Sequence, residues 1–133
     1  MTLFSKIIRG EIPSFKIAEN GKFYSFLDIN PLVEGHTLVI PKLEVDKFLD
    51  MPDEYLSEIL LFAKPIATAI EKSFPCNRCG LSVVGLEVPH AHLHLIPLNT
   101  MDDINFTRKK FSPTKEELKI AQDKILGAMG NLR

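Results

Sequence analysis

An excess of charge of either sign is missing from this chain. Sixteen basic side chains stand against 17 acidic ones, for a net charge of −1, and the pI lies near 6.4. That balance leaves no broad basic surface for a nucleic acid polymer or an anionic membrane, so any phosphate-bearing partner must be small and held locally. No apolar run is long enough to span a bilayer, and Met1-Thr2-Leu3-Phe4-Ser5-Lys6 lacks the long apolar stretch of a secretory leader, which makes the cytoplasm the expected compartment. The G-x-G-x-x-G and Walker loops of dinucleotide and P-loop proteins are absent, as are internal repeats and low-complexity tracts. Cysteine is scarce: Cys76 and Cys79 form one C-x-x-C, but a zinc site would need two further ligands and there is no second pair. They read as ordinary thiols in a helix-to-strand loop.

What is present suffices for one core. At 133 residues, 45% of them hydrophobic, residues 1–133 have the commonest size of a single domain. Phe4, Ile7 and Ile8 fall at helical spacing before Gly10. Phe15 to Glu19 and Lys22 to Asp28 flank Asn20-Gly21, a hairpin signal because both turn residues tolerate positive φ. Thr37 to Ile40 predicts a third strand. Val45 to Phe74 reads as helix, capped by Asp50, with Tyr55, Ile59, Phe62, Ile66 and Ile70 on one face and a kink or break at Pro65. Leu81 to Val84 and His90 to Ile96 give two more strands. Ser112-Pro113 starts a final helix with Leu118, Ala121, Ile125 and Met129 as its apolar stripe. Strands not regularly separated by crossover helices favour an α+β fold: an antiparallel five-stranded sheet, one long helix, and short N- and C-terminal helices.

The chemistry concentrates in Pro89-His90-Ala91-His92-Leu93-His94-Leu95-Ile96-Pro97, which holds three of the four histidines. Strict alternation puts the three imidazoles on one strand face, roughly 6 to 7 Å apart, with Ala91, Leu93 and Leu95 pointing into the core. Each imidazole can ionise near neutral pH and offers two nitrogens. Such a face is a metal site, a catalytic site or a wet surface.

Four blocks in order carry a resemblance: Leu3 to Pro13 (LFSKIIRGEIP), Phe26-Leu27-Asp28-Ile29, Gly35-His36-Thr37-Leu38-Val39-Ile40-Pro41-Lys42, and the H-x-H-x-H stretch. Together they resemble the histidine triad (HIT) family, in its Hint-like nucleoside phosphoramidase branch. The resemblance implies that His92 attacks the α-phosphorus of a purine nucleotide derivative, a nucleoside phosphoramidate or dinucleoside polyphosphate, to form a nucleotidyl-histidine that water cleaves. It implies that His94 and His36 donate to phosphate oxygens, and that His90 orients the nucleophile through a backbone contact. Asp28 would accept from the ribose hydroxyls, and Leu3, Phe4, Ile7, Phe26 and Ile29 would hold the base. No metal or other cofactor is expected, and a homodimer is, with Tyr55 to Ile70 contributing to the interface.

Three departures from the family pattern stand out. The Asn-x-Gly loop and the Gly-Gln pair that supply phosphate donors are missing. Leu86 stands where Gln is usual, followed by the negative Glu87. Thr2 and Ser5 replace the zinc-binding Cys-x-x-Cys of many bacterial relatives. Two classes therefore remain open, an α-phosphorus hydrolase and a nucleotide-binding module with little activity. Arg108-Lys109-Lys110 is either a solvated basic patch or a contact for a polyphosphate leaving group.

Overall fold

The computed structural model describes residues 1–130. Helix α1 (Leu3–Ile8) leads into strands β1 (Lys16–Glu19), β2 (Phe23–Leu27) and β3 (Thr37–Pro41). The chain continues through α2 (Asp53–Ser73), β4 (Arg78–Ser82), β5 (Leu93–Leu98) and α3 (Lys115–Met129). The strands form one antiparallel sheet in the order β1-β2-β3-β5-β4.

Alternation sorts the side chains between the two sheet faces. Phe23 and Leu27 of β2, Val39 of β3, and Leu93 and Leu95 of β5 pack with Ile59, Ala63, Ile66 and Ile70 of α2 and with Leu118, Ala121 and Ile125 of α3. Tyr24, Phe26, Leu38 and Ile40 point the other way and pack with Phe4 and Ile7 of α1. The first face is closed by helices; the second is covered only in part and holds the cleft.

Several local expectations need correction. The hairpin does not use positive φ at Asn20 or Gly21; the Asn20 side chain makes the turn, its Oδ1 accepting from the N–H groups of Lys22 and Phe23. Helix α2 begins at Asp53, not Val45, after a 3-10 turn at Phe48–Asp50, and Asp50 does not cap it. Val45 and Phe48 precede the helix and still pack against the core, so their apolar character reflects burial and not helix. Pro65 lies inside a continuous helix; packing of the buried face outweighs its missing donor. Strand β4 starts at Arg78 and ends at Ser82, which puts Cys79 in a strand and leaves Val83 and Val84 outside it. Strand β5 starts at Leu93, so His90 and His92 lie on the segment that enters it. Helix α3 is capped by Thr114 through a reciprocal bond pair with Glu117.

Candidate active site

The four histidines are all buried: His36 at 1%, His90 at 0%, and His92 and His94 at 6% exposure. Their order comes from the sheet. Leu38 of β3 pairs with His94 of β5, so His36, two residues before Leu38, sits diagonally across from His94 on the same face. Gly35, at φ +94°, delivers His36 to this point, and a Cβ there would collide with the Phe74 ring at 2.6 Å.

Hydrogen bonds determine which nitrogen of each ring carries the proton. The Leu32 N–H donates to His36 Nδ1 at 3.0 Å. Burial pushes His36 down to about 3, so the ring is neutral and its single proton is on Nε2, which donates to His94 Nδ1 at 2.9 Å. Burial likewise holds His94 at about 3, so its own proton lies on Nε2. Across the pair, His92 Nδ1 donates to the backbone carbonyl of His90 at 2.7 Å, so the nitrogen that can offer a lone pair is Nε2. Among the described residues the buried side-chain polar atom without a partner is Ser25 Oγ. Among the same residues His92 Nε2 and His94 Nε2 have no hydrogen-bond partner either, and both line the cleft through their side chains. One lone pair and one N–H thus face the cleft side by side, on rings whose centroids are 4.9 Å apart.

His90 is anchored on both sides. Its Nε2–H donates to the Pro41 carbonyl at 2.9 Å, so Nδ1 accepts the Thr2 hydroxyl proton at 2.7 Å. Thr2 also caps α1 by accepting from the Ser5 N–H. Glu44 Oε1 takes the Thr2 N–H and the Ser5 hydroxyl, both at 2.7 Å, and these bonds hold its carboxyl below the usual range. Thr2, Ser5, Glu44 and His90 therefore tie α1 to the segment that enters β5, and α1 carries Phe4, whose ring packs edge-on against His90 and His92.

The cleft has a volume of about 630 Å³ and is lined by His92, His94 and Asp28 together with Leu3, Phe4, Ile7, Phe26 and Ile29. The sequence-predicted base and sugar residues thus converge with two of the four histidines. Phe4, Ile7 and Phe26 are buried, whereas Leu3 and Ile29 are half exposed at the rim. His36 is not in the lining of this cleft: both its nitrogens are engaged, with Leu32 and His94, and it stands behind His94. Asp28 Oδ1 accepts the Asn30 N–H at 2.9 Å, and Oδ2 lies 3.7 Å from His36 Nε2; burial raises its carboxyl above the ordinary range. One oxygen therefore serves the turn, and Oδ2 is the freer acceptor. Donor atoms of Asp28, His36 and His94 lie within 4.8 Å of one another and could receive a cation, but only by breaking the His36–His94 hydrogen bond.

Of the far wall of the cleft, sequence reading offered only Lys110, as one member of a basic run, and missed Phe106, Phe111 and Val88. Phe106 stacks edge-on against His94 with centroids 4.7 Å apart, and Phe111, Lys110 and Val88 line the same space. The only hint of the missed residues was a pair of phenylalanines in a polar stretch. Cys76 and Cys79 are free thiols; burial raises both, Cys79 to about 12, so neither is a reactive thiolate.

An antiparallel sheet that aims an imidazole lone pair and an imidazole N–H into one apolar cleft suits a histidine-based group-transfer site. The chain belongs to the HIT domain family, whose sequence pattern matches residues 9–101. It is 44% identical over 96 residues to adenosine 5'-monophosphoramidase of Saccharomyces cerevisiae, covering 71% of this chain and 61% of that enzyme, less than two thirds of its length. It is also 44% identical over 105 residues to the enzyme of the same name from Candida albicans, covering 71% and 68% of the two chains. A solved HIT-like protein from Bartonella henselae matches with a TM-score of 0.83 at 31% identity, over 96% of this chain and 95% of that one.

Proposed function

We propose that this chain is a nucleotide hydrolase that cleaves adenosine 5'-phosphoramidate-like substrates at the α-phosphorus through a covalent intermediate on His92. The observation that carries this reading is the His92 tautomer: Nδ1–H is held by the His90 carbonyl, and the Nε2 lone pair opens beside the His94 N–H. The names of the fungal relatives support the substrate class. His92 Nε2 bonds to phosphorus as the P–N bond breaks, the leaving nitrogen takes a proton from solvent, and His94 keeps its Nε2–H as a hydrogen-bond donor to a phosphate oxygen. The positive charge that develops on His92 is shared with the His90 carbonyl. Water then attacks phosphorus and releases a proton to solvent, the His92–P bond breaks to return the Nε2 lone pair, and the nucleoside monophosphate leaves. Asp28 Oδ2 accepts from a ribose hydroxyl, and Phe4, Ile7, Phe26, Leu3 and Ile29 hold the base. Dinucleoside polyphosphates are a second substrate class for the same chemistry.

A homodimer is part of this reading. Leu60 and Leu61 of α2 are 55% and 71% exposed, and β4 is an edge strand carrying the exposed Leu81, so a second copy can cover both. No helix among the described residues is long and apolar enough to cross a membrane. The free thiols support a reducing compartment such as the cytoplasm.

The test is acid quenching of the reaction with substrate labelled at the α-phosphorus. Label should appear on protein in the wild type and vanish in His92→Ala, which should still bind AMP. Turnover by His92→Ala would refute the covalent route. Binding without turnover in the wild type would support a nucleotide-binding module instead.

A further inference from the structure

Two charges from different parts of the chain meet beside the histidines. Lys110 Nζ lies 3.1 Å from Oε1 and 3.4 Å from Oε2 of Glu87, and both residues line the cleft that holds His92 and His94. The lysine is the better anchored partner, with its side chain 25% exposed against 73% for Glu87. Its segment is tied to the loop that serves His36: Arg108 donates to the Leu32 carbonyl and pairs with Asp102, and the Phe111 N–H donates to the Pro31 carbonyl at 3.1 Å. Arg108 is thus structural, and Lys110 is the cation of this basic run that faces the cleft. Glu87 sits on the more permissive side, after Gly85 at φ +75° and the 88% exposed Leu86. The Lys110 charge is felt at His36, His94 and Asp28, and that of Glu87 at Asp28. Lys110 lies beyond residues 9–101, the stretch matched by the family pattern.

We propose that Glu87 and Lys110 form a leaving-group selector, in which Lys110 binds an oxygen of the reacting phosphate and Glu87 disfavours leaving groups that carry negative charge. The proposal rests on the hydrolase reading for its catalytic consequence, but not for its effect on binding. An ammonium held by one carboxylate keeps donors free for a phosphate oxygen. The carboxylate then stands beside whatever leaves phosphorus: it can accept from the N–H of an amine, whereas a further phosphate repels it and competes with it for Lys110. Like charges about 6 Å apart near a protein surface, with one group mostly exposed, change affinity by roughly three- to tenfold.

The experiment uses wild type, Glu87→Gln, Lys110→Met and Lys110→Arg. Calorimetry gives AMP and ADP affinities, and kinetics give kcat/KM for adenosine 5'-phosphoramidate and diadenosine tetraphosphate. In Glu87→Gln the affinity of ADP relative to AMP should rise about three- to tenfold, and use of the tetraphosphate should rise relative to the phosphoramidate by a similar factor. Lys110→Met should weaken both nucleotides, with Lys110→Arg restoring most of the binding. An unchanged ADP to AMP ratio in Glu87→Gln, or full AMP affinity in Lys110→Met, would overturn the selector. If the binding ratio shifts although neither substrate turns over, the hydrolase reading fails and the selector stands as a discriminator of bound nucleotides.

Discussion

On and just ahead of β5, Leu93 and Leu95 enter the helix-covered core while their immediate neighbours His92 and His94 face the cleft. The two faces bury their side chains almost equally, yet the physics differs. On the helix side, burial of aliphatic groups is favourable in itself and tolerates any arrangement that fills the space. On the cleft side, each imidazole brings two polar nitrogens, so burial must be matched by directed partners. Leu32, the His90 carbonyl, Pro41 and Thr2 supply them. What those partners leave over, a lone pair on His92 and a proton on His94, is what the site can use.

If the faces divide stability from chemistry in this way, truncations on β5 should have opposite profiles. His94→Ala should lower kcat/KM by roughly 10²- to 10³-fold through loss of the N–H donor. It should cost only about 1–3 kcal/mol of stability, because the His36 Nε2–H is left unpaired. Leu95→Ala should cost about 2–5 kcal/mol in denaturant unfolding while the rate per folded molecule changes little. Similar profiles for the two variants would erase the distinction.

A smaller effect separates the faces by pH. His36 and His94 have folded values near 3 against about 6.5 in an unfolded chain. Between those values the unfolded state binds more protons, so stability falls as the pH drops. From pH 7 to pH 5 the loss should be about 1–2 kcal/mol for each of the two histidines. Asp28, raised by burial, opposes this only where carboxylates titrate. His36→Phe should flatten the dependence measured by unfolding at a series of pH values; an unchanged slope would assign the loss to other groups.

The alternation around His92 and the succession of strands along the chain were legible because period-2 patterning depends only on which face is buried, whereas the order of strands within the sheet was not. Helix starts were less so: Val45 and Phe48 carry core-type side chains on irregular backbone, and periodicity cannot distinguish the two. Leu3, Phe4, Ile7, Phe26, Ile29 and Asp28 reached the cleft through family resemblance, since apolar types alone equally describe a core. The place of His36 behind His94 was not readable, because it follows from a backbone donor, Leu32, that no side-chain pattern reveals. Nor was the place of Phe106, or which cation of Arg108-Lys109-Lys110 faces the cleft, since both depend on how a segment without regular periodicity folds back over the sheet.

The central claim is a proton arrangement, and nitrogen-15 NMR of the imidazoles at pH 7 observes it directly. The tautomers expected are Nδ1–H for His92 and Nε2–H for His36 and His94, with the rings of His36 and His94 neutral. A His94 carrying its proton on Nδ1, or a His92 carrying its proton on Nε2, would leave the cleft without the paired donor and lone pair and would contradict the account.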